Sequence, residues 1–161
     1  MSFESRNPTT GELLGTYPEH SAHEVELRLQ SAWDGWKKWS GTPLSERTAF
    51  LVRLADLLEK RAEEYARLIT LEMGKPVGEA LGEVKKAAFG ARHFAGEGAA
   101  YIQPESIPGT PGRVVYESLG PILAIMPWNL PFWQVLRFFI PAALVGNTVV
   151  VKHAETVQGC A

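Results

Sequence analysis

The spacing of apolar positions changes several times along this 161-residue chain, and each change marks an element. Residues 5–19 hold Asn7-Pro8-Thr9-Thr10-Gly11, a turn signal between two short β-prone pieces, which predicts an irregular or hairpin entry. Ser21 and Glu24 stand at capping-box spacing, and Val25, Leu29, Ala32, Trp33 and Trp36 follow on one helical face, so a helix is predicted to end near Gly41. Thr42-Pro43 reads as the cap and first residue of a second helix. Its period runs through Phe50, Leu51, Leu54, Leu57, Leu58, Tyr65, Leu68 and Ile69 to a stop at Gly74. Pro76 opens a third helix with Leu81, Val84, Ala88, Ala91 and Phe94 turned inward.

Glycine and proline dominate residues 96–112, and Arg113-Val114-Val115-Tyr116-Glu117-Ser118 then reads as a strand. Pro121-Ile122-Leu123-Ala124-Ile125-Met126 is a continuous apolar run, expected of a strand buried on both faces of a parallel sheet. Pro131 opens a helix to about Leu144, Gly146-Asn147 ends it, and Thr148-Val149-Val150-Val151-Lys152 is a second strand of the same type. Strand, helix and strand make one βαβ unit with parallel strands and a right-handed crossover. The fold class is therefore α/β, an incomplete Rossmann-like parallel sheet preceded by several helices. A single unit leaves apolar edges open, so the chain is expected to continue beyond Ala161 or to complete its sheet with another polypeptide.

Composition acts mainly by exclusion. With 45% hydrophobic and 21% charged residues the chain fits a globular protein with its own core. Sixteen basic against eighteen acidic side chains lack the surplus that a phosphate backbone requires, so no nucleic acid partner is expected. One cysteine and four scattered histidines support neither a disulfide scaffold nor a metal site; His20 and His23 lack a third ligand. The chain start lacks a signal-peptide pattern, and the most apolar stretch, Leu130 to Val145, is interrupted by Gln134, Arg137 and Pro141. No membrane partner is expected, and a reducing cytoplasm is the expected compartment. Trp33 and Trp36 are read as packing residues, not as a platform for bases.

Parallel strands send their carboxyl ends to one rim, where open sheets bind ligands. The loop after the first strand carries Trp128 and Asn129, and the loop after the second carries Lys152, His153, Ala154 and Glu155. Neither a G-x-G-x-x-G nor a G-x-x-x-x-G-K-[ST] phosphate loop is present. Lys152 can donate to a hydroxyl and Glu155 accept from one, the pair a ribose diol requires; a solvated pair at a strand end is the alternative. Asn129 can donate hydrogen bonds without titrating, or simply hold the turn before Leu130-Pro131. The helix from Pro131 is apolar on nearly every side and is expected to be largely buried, and Arg137 breaks that pattern. Its guanidinium requires a carboxylate or a polar cavity, with Gln134 three residues earlier extending a polar strip; a structural salt bridge is the alternative.

Asn7-Pro8-Thr9-Thr10-Gly11-Glu12, Glu72-Met73-Gly74-Lys75-Pro76, Ile125-Met126-Pro127-Trp128-Asn129-Leu130-Pro131, Gly146-Asn147-Thr148-Val149-Val150-Val151-Lys152 and Lys152-His153-Ala154-Glu155 resemble, in order and spacing, successive signatures of the aldehyde dehydrogenase superfamily. Through Trp133-Gln134-Val135-Leu136-Arg137 and Lys152-His153-Ala154-Glu155 the chain is most similar to succinate-semialdehyde dehydrogenases.

The resemblance covers residues 1–161 as the amino-terminal part of the coenzyme-binding domain, with the catalytic domain absent. It implies an NAD(P)-dependent oxidation of a small aldehyde, succinate semialdehyde to succinate, in which a cysteine thiolate attacks and a glutamate activates water. Both of those residues fall downstream of this chain, which alone is expected to be inactive; Cys160, in a helix after Lys152, is read as a small buried residue. A non-catalytic fragment or interaction module of the same fold is the alternative.

By resemblance Ile125, Met126, Pro127, Trp128, Lys152 and Glu155 bind the coenzyme, Lys152 and Glu155 holding the adenosine ribose. Asn129 stabilises the oxyanion, and Arg137 with Gln134 binds the remote carboxylate of the substrate. Glu155 would repel a 2'-phosphate, so NAD is expected over NADP, with His153 the nearby cation able to compensate. Phe138 stands where many members have lysine, so no role assigned to that lysine transfers. Residues 101–119 correspond to an arm that joins subunits, implying a homodimer or homotetramer for the complete protein.

Overall fold

The computed structural model describes residues 2–161. β1 (Ser2–Arg6) and β2 (Leu13–Pro18) form the expected entry hairpin, antiparallel. Asn7 builds its turn: Oδ1 accepts from the backbone N–H of Thr9 and of Thr10, and Gly11 takes a left-handed φ of +75°. α1 (Ala22–Trp39) starts on the expected capping box, Glu24 N–H donating to Ser21 Oγ at 3.2 Å and Ser21 N–H to the Glu24 carboxylate at 2.7 Å.

Four helices, not three, precede the parallel strands. α2 (Leu44–Lys60) and α3 (Ala62–Met73) separate at Arg61, where the backbone leaves the helical region (φ −107°, ψ 19°). No glycine or proline marks this break, so the apolar period runs through it unchanged. Arg61 is held there by the Glu64 carboxylate at 2.8 Å and lies over the Tyr65 ring. Thr42 does not cap α2: its hydroxyl donates back to Lys38 at the end of α1, and α2 begins with Pro43 at the cap position and no side-chain cap.

Gly74 ends α3 as expected, with φ +87°, and Pro76 leads into α4 (Val77–Glu97). α4 packs against α2, α3 and α5 (Trp133–Val145), and the core at their meeting includes Leu51, Ile69, Val84, Ala88, Ile140 and Leu144. Each large aliphatic side chain there stabilises the fold by about 1.5–3 kcal/mol. Alanines at 80, 87, 88 and 91 allow the close approach of the neighbouring helices. Leu81 and Phe94, expected to face inward, are only partly buried.

β3 (Glu105–Ser106) and β4 (Arg113–Val114) pair antiparallel over two residues each. The strand expected over 113–118 stops there because its partner is equally short. β5 (Pro121–Ile125) and β6 (Thr148–Lys152) flank α5 and run parallel, from Pro121 opposite Thr148 to Ile125 opposite Lys152, which is the expected βαβ unit. Burial on both faces is not found: Leu123 is 59% and Ile125 70% exposed, because no described residue covers that side of the two-stranded sheet. α1 lies against β5 and β6, with Thr148 Oγ1 donating to the Ala32 carbonyl at 2.8 Å. That narrow support leaves Val25, Leu29 and Trp33 of its apolar face largely exposed, against expectation. Trp36 and Trp39 use their indole N–H groups on Ser118 Oγ and the Ala143 carbonyl. Buried Asn147 joins the end of α5 to the entry of β5, accepting from Leu119 and Gly120 N–H and donating to the Ala142 carbonyl. Among the described residues no helix is long and apolar enough to cross a membrane.

Candidate functional site

Parallel pairing places the carboxyl ends of β5 and β6 side by side, and Met126 N–H donates to the Lys152 carbonyl at 3.0 Å. The two loops therefore leave one edge. Pro127, Trp128 and Asn129 are exposed beyond β5; Lys152 is exposed at the end of β6, and Glu155 is exposed at the start of one turn of 3-10 helix, Glu155–Val157. Among the described residues the side chains of Asn129, Lys152 and Glu155 have no hydrogen-bond or ion-pair partner, so Asn129 does not hold the turn before Leu130-Pro131 by its amide.

His153 behaves differently from its exposed neighbours. It is buried between the loops, where Nδ1 accepts Ala154 N–H at 2.8 Å and Nε2 lies 2.9 Å from the Pro131 carbonyl. A backbone N–H can only donate, so Nδ1 is the acceptor and Nε2 carries the proton. A neutral, buried ring cannot supply the cation that would offset Glu155 beside a 2'-phosphate.

α5 is less buried than its composition implies. Ile140, Ala142, Ala143 and Leu144 are buried, as is Pro131 just before the helix, whereas Gln134 is half-buried and Arg137 is exposed. Arg137 makes neither a buried contact nor a structural salt bridge among the described residues. Water hydrates the guanidinium, so the burial cost that would demand a partner does not arise here. Cys160 lies in a turn after Glu155–Val157, not in an α-helix. Burial, then the Glu72 hydrogen bond and charge, push its thiol well above the ordinary range, consistent with a non-nucleophilic role.

Sequence reasoning missed the buried charges behind the two loops. Glu72 on α3 accepts at Oε1 from Ser5 Oγ and from Gly159 N–H at 2.8 Å, and at Oε2 from Cys160 N–H at 2.8 Å, joining the hairpin to the segment after Glu155. Glu83 on α4 accepts from Phe132 and Trp133 N–H with one oxygen and pairs with Lys75 through the other. Glu72 and Lys75 were visible only as parts of a signature. The one signal for Glu83 was an acidic residue beside Val84 on an otherwise apolar face. An apolar groove of about 380 Å³ also runs past Tyr65, Leu136, His153 and Cys160, and its lining includes none of Asn129, Arg137, Lys152 or Glu155.

Residues 1–161 match the aldehyde dehydrogenase family throughout. The chain belongs to that family. A succinate-semialdehyde dehydrogenase [NADP(+)] of Deinococcus radiodurans is 41% identical over 95% of this chain and 32% of its own length. Succinate semialdehyde dehydrogenase [NAD(P)+] Sad of Escherichia coli is 42% identical over 98% of this chain and 34% of its own length. The crystal structure of a succinic semialdehyde dehydrogenase from Streptococcus pyogenes in complex with NADP+ superposes with a TM-score of 0.94 at 33% identity, covering 99% of this chain and 36% of that one. The chain thus spans about a third of the length of these aldehyde dehydrogenases. Within them, the small parallel sheet and its preceding helices correspond to a partial α/β domain.

Proposed function

We propose that this chain is the amino-terminal, coenzyme-binding part of an aldehyde dehydrogenase that oxidises succinate semialdehyde to succinate. The observation that carries the substrate is Arg137: a permanently charged fork, exposed and without a partner among the described residues, on the helix that follows the Asn129 loop. A carboxylate at the far end of the substrate matches it bidentately, with Gln134 one turn earlier on the same helix. Asn129, exposed and with no side-chain hydrogen bond among the described residues, is the oxyanion donor. The nucleophilic cysteine and the glutamate that activates water belong to the remainder of a protein of its relatives' length, so this chain alone is inactive.

Lys152 and Glu155 suit a ribose because both are exposed beyond the carboxyl end of β6 and have no side-chain partner among the described residues, one able to donate and one to accept. Ile125, Met126, Pro127 and Trp128 form the coenzyme side of the neighbouring loop. The nicotinamide coenzyme, when bound, takes the hydride. The charge of Glu155 favours NAD, while the similar enzymes of Deinococcus radiodurans and Escherichia coli are named for NADP(+) and NAD(P)+; with His153 neutral and buried, Glu155 is the residue of this chain on which the choice turns. Residues 101–119 are the arm through which subunits join in a homodimer or homotetramer.

Arg137→Ala in the full-length protein tests the substrate. Loss of a charge-assisted pair costs about 1.5–3 kcal/mol, which raises KM for succinate semialdehyde about ten- to a hundredfold while sparing butanal. Equal loss with both aldehydes refutes the assignment.

A further inference from the structure

α5 begins without a cap of its own. Leu130, Pro131 and Phe132 carry no side-chain oxygen, and Phe132 at the cap position is already helical (φ −88°, ψ −49°). Its first amides are met from another helix instead: Glu83 Oε1, on the inner face of α4, accepts Phe132 N–H at 2.9 Å and Trp133 N–H at 3.0 Å. Glu83 Oε2 pairs with Lys75 Nζ, and the two side chains are only 2% and 8% exposed. A carboxylate at a helix N-terminus is favoured by the dipole and by the free N–H groups, and Lys75 neutralises it so that no unpaired charge is buried. On the other side His153 holds the carbonyl of Pro131. Pro131, Phe132 and Trp133 are therefore fixed by α4 and by the loop after β6 together.

That point of fixation, Pro131 to Trp133, lies between Asn129 and Arg137, two residues after the one and four before the other. A small rotation of α5 about its first turn moves both. We propose that Glu83, paired with Lys75, is a positioning residue that sets where Asn129 and Arg137 stand relative to the β5 edge. The inference rests on the proposed function for its consequence in catalysis, whereas the clamp itself can be read without any turnover.

The test uses the full-length protein carrying Glu83→Gln, and Glu83→Gln with Lys75→Met, with two readouts. Hydrogen exchange followed by mass spectrometry over residues 130–136 reads the clamp; kcat and KM with succinate semialdehyde and with butanal read its consequence. In Glu83→Gln the single amide oxygen turns to the Lys75 ammonium and leaves the N–H₂ facing the Phe132 and Trp133 N–H groups, which can only donate, so exchange over 130–136 rises about tenfold or more while exchange in α2 and the rest of α4 is unchanged. Displacement of the order of 1 Å lowers kcat about 10- to 100-fold with both aldehydes, with coenzyme KM within about twofold. Removing the ammonium as well leaves the amide oxygen free to meet both N–H groups, so the double variant recovers protection and kcat by at least about threefold.

Unchanged exchange over 130–136 overturns the clamp, and raised exchange with unchanged kcat overturns the positioning role. Exchange that rises throughout α2 and α4, or a double variant that does not fold, makes Glu83 a general core residue and also overturns it. If the unsubstituted protein oxidises no aldehyde, the proposed function falls and the exchange readout alone decides the clamp.

Discussion

His153 donates its Nε2–H to the carbonyl of Pro131 at 2.9 Å, a bond across 22 residues that ties the loop after β6 to the loop after β5. Lys152 and Glu155 flank this ring on one side, and Asn129 lies two residues before Pro131 on the other. His153→Ala leaves the Pro131 carbonyl and Ala154 N–H without a partner, at a cost of about 2 kcal/mol in denaturant unfolding. In the full-length protein the coenzyme KM rises as well. An unchanged KM would show that the two loops keep their places independently.

Glu72 is the corresponding tie for the segment that follows Glu155. Truncation in Glu72→Ala orphans Ser5 Oγ and the N–H groups of Gly159 and Cys160, which predicts a loss of about 3 kcal/mol in stability. Glu72→Gln keeps an acceptor and loses less. Equal urea midpoints for the two variants would refute the hydrogen-bonded role.

Cys160 is the sole cysteine of the sequence, and burial with Glu72 beside it raises its pKa, so at pH 8 it stays a thiol. Because only the thiolate is alkylated, iodoacetamide reacts with this chain at pH 8 at least about 100-fold more slowly than with a free cysteine, as followed by mass spectrometry. Glu72→Gln removes the negative charge and accelerates the reaction. A rate equal to that of free cysteine would contradict the assigned environment.

Asn129→Ala in the full-length protein lowers kcat about 100- to 1000-fold, the usual cost of losing one oxyanion donor, with coenzyme affinity retained. Since the Asn129 side chain has no hydrogen bond among the described residues, the unfolding midpoint stays where it was. A fewfold change in kcat would reject the role.

Glu155→Gln removes the carboxylate expected to repel a 2'-phosphate while keeping an acceptor for a ribose hydroxyl. The ratio of kcat/KM for NADP to that for NAD rises about tenfold, equivalent to about 1.4 kcal/mol. An unmoved ratio would place the 2'-oxygen away from Glu155.

Elements with a local cause were legible in the residues themselves. The Ser21–Glu24 capping box, the Asn7 turn, the glycine stops at Gly74 and Gly146, and the alternation of strand, helix and strand from Pro121 to Lys152 each depend on neighbours within a few positions. So did the nomination of both rim loops, because parallel strands have only one carboxyl edge. The break at Arg61 was invisible, since an apolar stripe continues in phase across it, and the exposed faces of α1 and β5 were misjudged because a pattern shows which side seeks cover but not whether cover is present.

Patterning along the chain was enough for the α/β class, the strand, helix and strand order from Pro121 to Lys152, the family signatures and the candidates Asn129, Arg137, Lys152 and Glu155. It took the folded chain to show that Arg137 stands exposed with no partner among the described residues, that His153 is a neutral strut, and that Glu72 and Glu83 are buried behind the loops. The difference is one of range. A cap or a turn is satisfied by atoms a few residues away, whereas a buried carboxylate is defined by donors that lie 49 and 50 positions from Glu83, and 67, 87 and 88 from Glu72, and only the folded chain brings them within 3 Å.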